Sequence, residues 1–354
     1  MKSSYKLLSL FGINVEMHIS FILFIAFLFM LNYTFALLLL VVFVFVTLHE
    51  FSHSLVAKKL KIRVDKIILL PIGGMALMDI KKISPLKEVL IAVAGPLFNF
   101  LMCYLLIIFM YLFNLPFENA INVINEMHLS FSLLVYYSFY ANLILGSFNL
   151  FLPAFPLDGG RILRAALSLK FNREKATLIA RNVSFSLAFL MLVYSIFSFD
   201  IWIMIIAGFI FLGANGEYKA LLDSIYLSKV KVDSLLSTDF FVAGKNEVVK
   251  EVADKMMMFR RNYAVIEDNF KLFDLSRVTN FNKTVDEEAL NVPVLRLRDS
   301  LEVALNKMNL SGVALLPVVE KNELVGIVKR QDILNFEKMS KLLNNKYVKR
   351  VLKL

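Results

Sequence analysis

Charge is scarce in this chain of 354 residues: Asp, Glu, Lys and Arg together make up 19%, against 58% hydrophobic residues. Soluble globular domains usually carry about 25% charged residues, so the shortage excludes an ordinary soluble protein and points to a membrane class. Cysteine is almost absent. Cys103 stands alone, which excludes a disulfide framework within the chain and leaves the redox compartment undefined. It lies in an apolar run and reads as a small buried hydrophobe. A cleavage signature is lacking too: Lys2 and Lys6 precede the apolar run Ile19 to Leu31, but Asn32-Tyr33 follows without small residues and another apolar run begins at once. A cleaved leader is therefore not expected. The formal charge of +10 does not imply nucleic acid, because most Lys and Arg in the first two thirds fall between hydrophobic segments, as in cytoplasmic loops.

The apolar runs predict a polytopic α-helical membrane protein with about six transmembrane helices. They fall near Ile13–Leu31, Thr34–Ala57, Leu86–Phe113, Leu129–Leu150, Ala176–Phe197 and Ile201–Ala214. Lys58, Lys59, Lys61, Arg63, Lys66, Lys81, Lys82 and Lys87 lie between the second and third runs. Arg161, Arg164, Lys170, Arg173 and Lys175 lie between the fourth and fifth. The turns at Asn32-Tyr33, Asn114 to His128 and Ser198 to Asp200 contain neither Lys nor Arg. This asymmetry predicts a multi-pass protein of the cytoplasmic membrane with both termini cytoplasmic and an even number of spans. Ile67 to Leu77 is too short for a span and too apolar for a solvated loop. It reads as a re-entrant β segment around Gly73 and Gly74, which either pairs with an extended substrate or plugs a cavity.

After Glu217 the composition becomes mixed and charged. The chain divides into a membrane domain (1–216), a linker (217–229), two repeats (230–284 and 291–340) and a basic tail (341–354). Glu247–Met256, Tyr263–Asn269 and Lys271–Arg277 correspond to Asp299–Met308, Ala314–Val319 and Glu323–Arg330, each copy predicting helix, strand, turn, strand, helix. This α+β repeat resembles a tandem CBS domain, whose relatives pack as a pair and in many cases bind an adenine nucleotide such as ATP or AMP, with a homodimer through the pair as the other use; the Lys and Arg asymmetry puts it in the cytoplasm. Such pairs hold phosphate and ribose through a Gly, a Ser or Thr, and an Asp. Here Gly326 and Asp332 match in the second copy and Ser276 in the first, but Lys329 and Thr279 depart from the pattern. A nucleotide site and a plain packing module both stay open.

His49-Glu50-Phe51-Ser52-His53 ends the uncharged run Leu37 to Leu48. Residues four apart share a helix face, so both imidazoles can reach one metal with Glu50 beside the first. In a soluble helix this pattern also arises by chance. Within a span each ionisable group costs about 2.5–3.5 kcal/mol to insert, so its presence argues for function. At about 1.5 Å per residue His53 lies about 7 Å, and His49 about 13 Å, before Lys58, toward the cytoplasmic side. Catalytic zinc takes three protein ligands and keeps one position open. Asp158, in Pro153-Ala154-Phe155-Pro156-Leu157-Asp158-Gly159-Gly160-Arg161, ends a span on that same side and is the candidate third ligand. Irregular backbone at membrane depth must line a cavity or be buried in protein, although Asp-Gly is also plain turn chemistry.

Together these motifs resemble the site-2 protease family of intramembrane zinc metalloproteases, in the branch with a C-terminal CBS pair. Leu70-Pro71-Ile72-Gly73-Gly74 and Ala94-Gly95-Pro96-Leu97-Phe98-Asn99 match family features as well. The resemblance implies one Zn2+ held by His49, His53 and Asp158, with Glu50 activating water to cut a transmembrane substrate in regulated intramembrane proteolysis. It also implies that Asn149 steadies the substrate or its oxyanion, but the family spacing is stretched here by one residue, and an interhelical hydrogen bond is the other reading. Two other classes compete: a channel or transporter gated by the CBS pair, and a non-catalytic homologue that only binds membrane partners. His18 and His128 read as interfacial, and Met256-Met257-Met258 as core packing.

Overall fold

The structure is a computed structural model and describes residues 4–78, 83–115 and 130–342. Lys81, Lys82, His128, most of the 114–128 turn and nearly all of the 341–354 tail lie outside those residues. The chain divides into two compact units, Met1–Lys219 and Ala220–Leu354.

Among the described residues five helices are long and apolar enough to cross a membrane. They are α2 (Tyr33–Lys59), α3 (Pro85–Leu112), α4 (Phe131–Phe151), α6 (Arg173–Ser198) and α7 (Ile201–Lys229), with the short α1 (Ile19–Leu31) before them and α5 (Asp158–Leu167) between α4 and α6. The expected first span, Ile13 to Leu31, is not one helix. Ile13-Asn14-Val15-Glu16-Met17-His18 alternates with period two, burying Ile13 and Val15, so it forms strand β2 (Ile13–His18). The His18 ring then accepts a hydrogen bond from the Ser20 amide at 3.2 Å and caps α1. The remaining 13 residues rise about 20 Å, short of the roughly 30 Å hydrocarbon core.

Strand β2 belongs to a four-stranded sheet ordered β1-β2-β3-β4, with β1 at Ser4–Leu10, β3 at Val64–Leu70 and β4 at Gly73–Met78. The β segment expected over Ile67–Leu77 is the β3–β4 hairpin, antiparallel with Ile67 opposite Ala76. β2 and β3 run parallel, as α1 and α2 supply the long crossover such a pair needs. Ile13, Val15, Ile67 and Leu69 pack against Phe21 of α1 and Phe43 and Phe51 of α2. The sheet is thereby fixed to the helix that bears the His49–His53 motif.

Arg164 reads from sequence as a loop charge, but the fold buries it to 3% exposure. Its Nε donates to Glu88 Oε1 on α3 at 2.7 Å and its Nη1 to Glu217 Oε2 on α7 at 3.1 Å. Arg173 of α6 reaches the other Glu88 oxygen at 3.1 Å. Two carboxylates and two guanidiniums thus join α3, α5, α6 and α7.

In the second unit, the stretch expected as a linker (217–229) is the end of α7, and Leu227 lies in this unit's core. β5 (Phe241–Ala243), α8 (Val249–Met258), β6 (Tyr263–Ile266) and β7 (Leu272–Asp274) make the first repeat; α10 (Leu301–Ser311), β8 (Leu315–Glu320), β9 (Glu323–Lys329) and α11 (Arg330–Leu342) make the second. The helix expected to close the first repeat shrinks to a 3-10 turn at Leu275–Arg277, with a four-residue helix α9 at Val285–Glu288. The Asp274 carboxylate takes the amide and hydroxyl of Ser276, and such local side-chain capture competes with helix. Met256 is core, whereas Met257 and Met258 are exposed.

Removing one partner from a buried ion pair strands the other charge, at a cost of about 3–5 kcal/mol. Arg164→Met should therefore lower the unfolding midpoint of the detergent-solubilised protein clearly, whereas Arg63→Met, at an exposed pair with Asp65, should leave it nearly unchanged. Differential scanning fluorimetry checks both.

Candidate metal centre

One helix face brings the two imidazoles together: His49 and His53 of α2 approach Nε2 to Nε2 at 3.1 Å. Asp158 Oδ2 lies 3.2 Å from each. An ion bonded at about 2.0–2.1 Å in a tetrahedron sets its ligands roughly 3.3–3.4 Å apart, so this triangle fits one zinc with its fourth position free. The Glu50 carboxylate also lies near, within a 4.8 Å cluster with the two histidines. It is Asp158, not Glu50, that closes the tight triangle.

The far nitrogens of both rings are occupied. His53 Nδ1 donates to the Ile91 carbonyl of α3 at 2.6 Å, and His49 Nδ1 meets Asn99 Oδ1 at 2.5 Å. Asn99 in turn donates through Nδ2 to Asn142 Oδ1 at 2.8 Å. An oxygen behind each Nδ1 leaves each Nε2 with a free lone pair, the form a cation requires.

Asp158 is delivered by the irregular stretch between α4 and α5, where Phe155–Pro156 is cis. The Phe155 amide donates to Ser184 Oγ of α6 at 2.9 Å. Gly213 of α7 lies against Pro156, where a Cβ would come within 2.5 Å of the ring. Gly159 and Gly160 allow α5 to start against this backbone: a Cβ at Gly159 would fall 2.3 Å from the Leu152 carbonyl oxygen. The backbone on either side of Asp158 is thus fixed by α6, α7 and the end of the α4 segment.

Glu50 accepts a hydrogen bond from the Ala76 amide of β4 at 3.2 Å. Gly74 permits that approach, since its Cβ would fall 2.7 Å from Glu50 Cγ; Gly73, at φ +138°, holds a conformation that side chains avoid. Asn149 is not brought to the triangle by any described hydrogen bond: its amide donates to the Leu145 carbonyl of its own helix at 3.0 Å. In the second unit Ser276 is engaged with Asp274, and Gly326 allows close passage of the Ser237 carbonyl, 2.8 Å from where a Cβ would sit. A cleft of about 360 Å3 there is lined by Arg260, Arg261, Tyr263, Lys329 and Arg330 among others. Gly326 and Asp332 are not among its lining residues.

The description "Peptidase family M50" matches residues 35–193, a stretch that contains His49, His53 and Asp158. A zinc metalloprotease of Methanocaldococcus jannaschii is 35% identical over 344 residues, covering 94% of this chain and 96% of its own. The chain belongs to peptidase family M50. This M50 protein is a zinc-dependent endopeptidase of the site-2 protease type. The solved site-2 protease of Methanocaldococcus jannaschii is 41% identical, covering 61% of this chain and 95% of that one with a TM-score of 0.46. The CBS domain description matches residues 287–338, and a CBS domain pair/ACT domain protein of Thermotoga maritima covers 31% of this chain and 100% of its own at 20% identity and a TM-score of 0.28.

Ala76, Asn142 and Gly95 are among the contributors to this M50 site that were given no role in the sequence reading. Ala76 acts through its backbone and leaves no side-chain signal. Asn142 stands in an apolar span, where an amide needs a partner, and that was its available signal. Gly95 is needed for space, since a Cβ would lie 2.4 Å from His53 Nε2 and 2.5 Å from His49 Nε2. Gly95→Ala should thus fill the ion's position while favouring the α3 helix. Elemental analysis of the purified variant should find zinc well below one per chain, with helicity unchanged by circular dichroism.

Proposed function

We propose that this protein hydrolyses peptide bonds within the transmembrane segments of membrane-protein substrates, in regulated intramembrane proteolysis, with zinc held by His49, His53 and Asp158. The observation that carries the reading is the 3.1–3.2 Å triangle of donor atoms, two of them on a membrane-length helix. Zinc held there would supply Lewis acidity to polarise the scissile carbonyl and ease loss of a proton from water. Glu50 takes that proton and returns it to the leaving amine, and the Ala76 amide fixes which carboxylate oxygen faces away. A transmembrane helix hides its carbonyls in its own hydrogen bonds, so the substrate must be extended before it is cut. The β4 strand pairs with β3 on one side only, and its other edge, beside Glu50, offers backbone groups to such a segment. The distribution of Lys and Arg supports a cytoplasmic-membrane protein with both termini and the CBS unit in the cytoplasm.

Glu50→Gln should keep zinc while cleavage of a single-span substrate in liposomes falls by about 100-fold or more. Asp158→Ala should lose zinc itself. Normal turnover by the first variant, or full metal content in the second, defeats the assignment.

The cleft, which carries Arg260, Arg261, Lys329 and Arg330 beside a single carboxylate, Asp239, paired with Arg261, favours a second role. We infer that the CBS unit takes ATP or AMP there, with Arg260, Arg261, Lys329 and Arg330 facing the phosphates, and so adjusts cleavage. In titration calorimetry of the full-length protein, Lys329→Ala should weaken ATP binding by about tenfold, in line with one charge-assisted contact. Absence of binding at millimolar nucleotide would leave the pair as a dimerisation module.

A further inference from the structure

The hydrogen-bond chain behind His49 has a polarity that its far end decides. That end is the backbone carbonyl of Ser138 on α4, which can only accept. Asn142 therefore turns Nδ2 toward it, at 2.8 Å, and presents Oδ1 to Asn99. Asn99 answers with its own Nδ2 at 2.8 Å, which leaves Oδ1 facing His49 Nδ1 at 2.5 Å. That oxygen too can only accept, so Nδ1 carries the proton. A neutral imidazole has a single N–H, and Nε2 must then present its lone pair beside His53 Nε2 and Asp158 Oδ2. Asn99 and Asn142 are both 0% exposed, so water does not stand in for either amide.

We propose that Asn142 is a positioning residue for the metal: acting through Asn99, it selects the His49 tautomer that can bind a cation, although it touches no ligand. His53 needs no such relay, because the Ile91 carbonyl sets its ring directly. The asymmetry matters for experiment. His53 is held by backbone, His49 by side chains on two other helices that can be exchanged. Without the Asn142 oxygen, Asn99 is free to turn over and offer Nδ2 to the ring. The opposite tautomer follows, with its proton on Nε2 in the ion's path.

This inference rests on His49 being a zinc ligand, and the experiment separates the two claims. Zinc affinity is measured by chelator competition on the full-length protein in detergent, for wild type, Asn142→Leu, Asn142→Ala, Asn142→Asp and His49→Ala. Loss of a group behind a metal-binding histidine typically weakens affinity by about 10- to 100-fold, and that is expected of the Leu and Ala variants. Asp, kept neutral by burial, turns its O–H to the Ser138 carbonyl and keeps an oxygen toward Asn99, so it should stay near wild type. The second readout is nitrogen NMR of the metal-free proteins labelled at histidine, of which the chain has only four. His49 should be protonated at Nδ1 in wild type and Asn142→Asp, and shifted toward Nε2 in Asn142→Leu. Measuring Ala alongside Leu keeps the outcome independent of whether the bulkier variant folds. Wild-type affinity and tautomer in folded Leu or Ala variants overturn the proposal. So does equal zinc loss in Leu, Ala and Asp with an unchanged tautomer, which would mean packing rather than polarity. Undiminished zinc in His49→Ala instead removes the ligand assignment beneath it.

Discussion

Hydrocarbon offers no hydrogen bonds, and every polar group that the first unit places among its apolar helices must find its partner in protein. That requirement organises the structure more than any single contact does. Two imidazoles and a carboxylate converge within 3.2 Å of one another, and behind them the satisfied groups continue outward. His53 leans on a backbone carbonyl of α3, and His49 on amides of α3 and α4. Helix α4 supplies none of the three donor atoms, yet it is tied to the site through Asn142.

The same requirement explains the second polar assembly. Glu88 and Arg164 are 2% and 3% exposed, and each would be costly alone. Their pairing, with Arg173 and Glu217 at the margins, joins the helix that starts at Asp158 to three neighbours. A charge cluster of this kind is weak evidence for net stability. Its direct consequence is registry: α5 cannot slide along α3 without separating Arg164 from Glu88, and the position of Asp158 follows from that.

How much of this was readable from residues alone depended on the range of the signal. The histidines lie four apart on one helix, so their convergence follows from helix geometry. Asp158 needed only membrane sidedness and the count of ligands to be drawn toward them. The hairpin at Gly73-Gly74 showed in its breakers. By contrast, β2 was hidden because its six alternating residues run straight into an apolar helix, and a hydropathy reading fuses the two. Arg164 looked solvated among loop charges, since nothing local reveals a carboxylate 76 residues earlier. The Asn99–Asn142 contact joins residues 43 apart in sequence. Pairings between helices are set by packing, which no periodicity records.

The third donor lies far along the chain from the two imidazoles: His49 and Asp158 are separated by 109 residues. A bound ion would therefore be a cross-link as well as a reagent, closing a long loop that includes α3, α4 and part of the sheet. Closing such a loop removes freedom chiefly from the unfolded chain. Metal affinity and resistance to unfolding then become two views of one quantity, since ligands assembled by folding give back to the fold whatever they gain from the ion. A protease built this way would carry its own quality control, because a chain that had not brought α2 and α5 together would lack the full ligand set, and with it the activity that could harm its membrane.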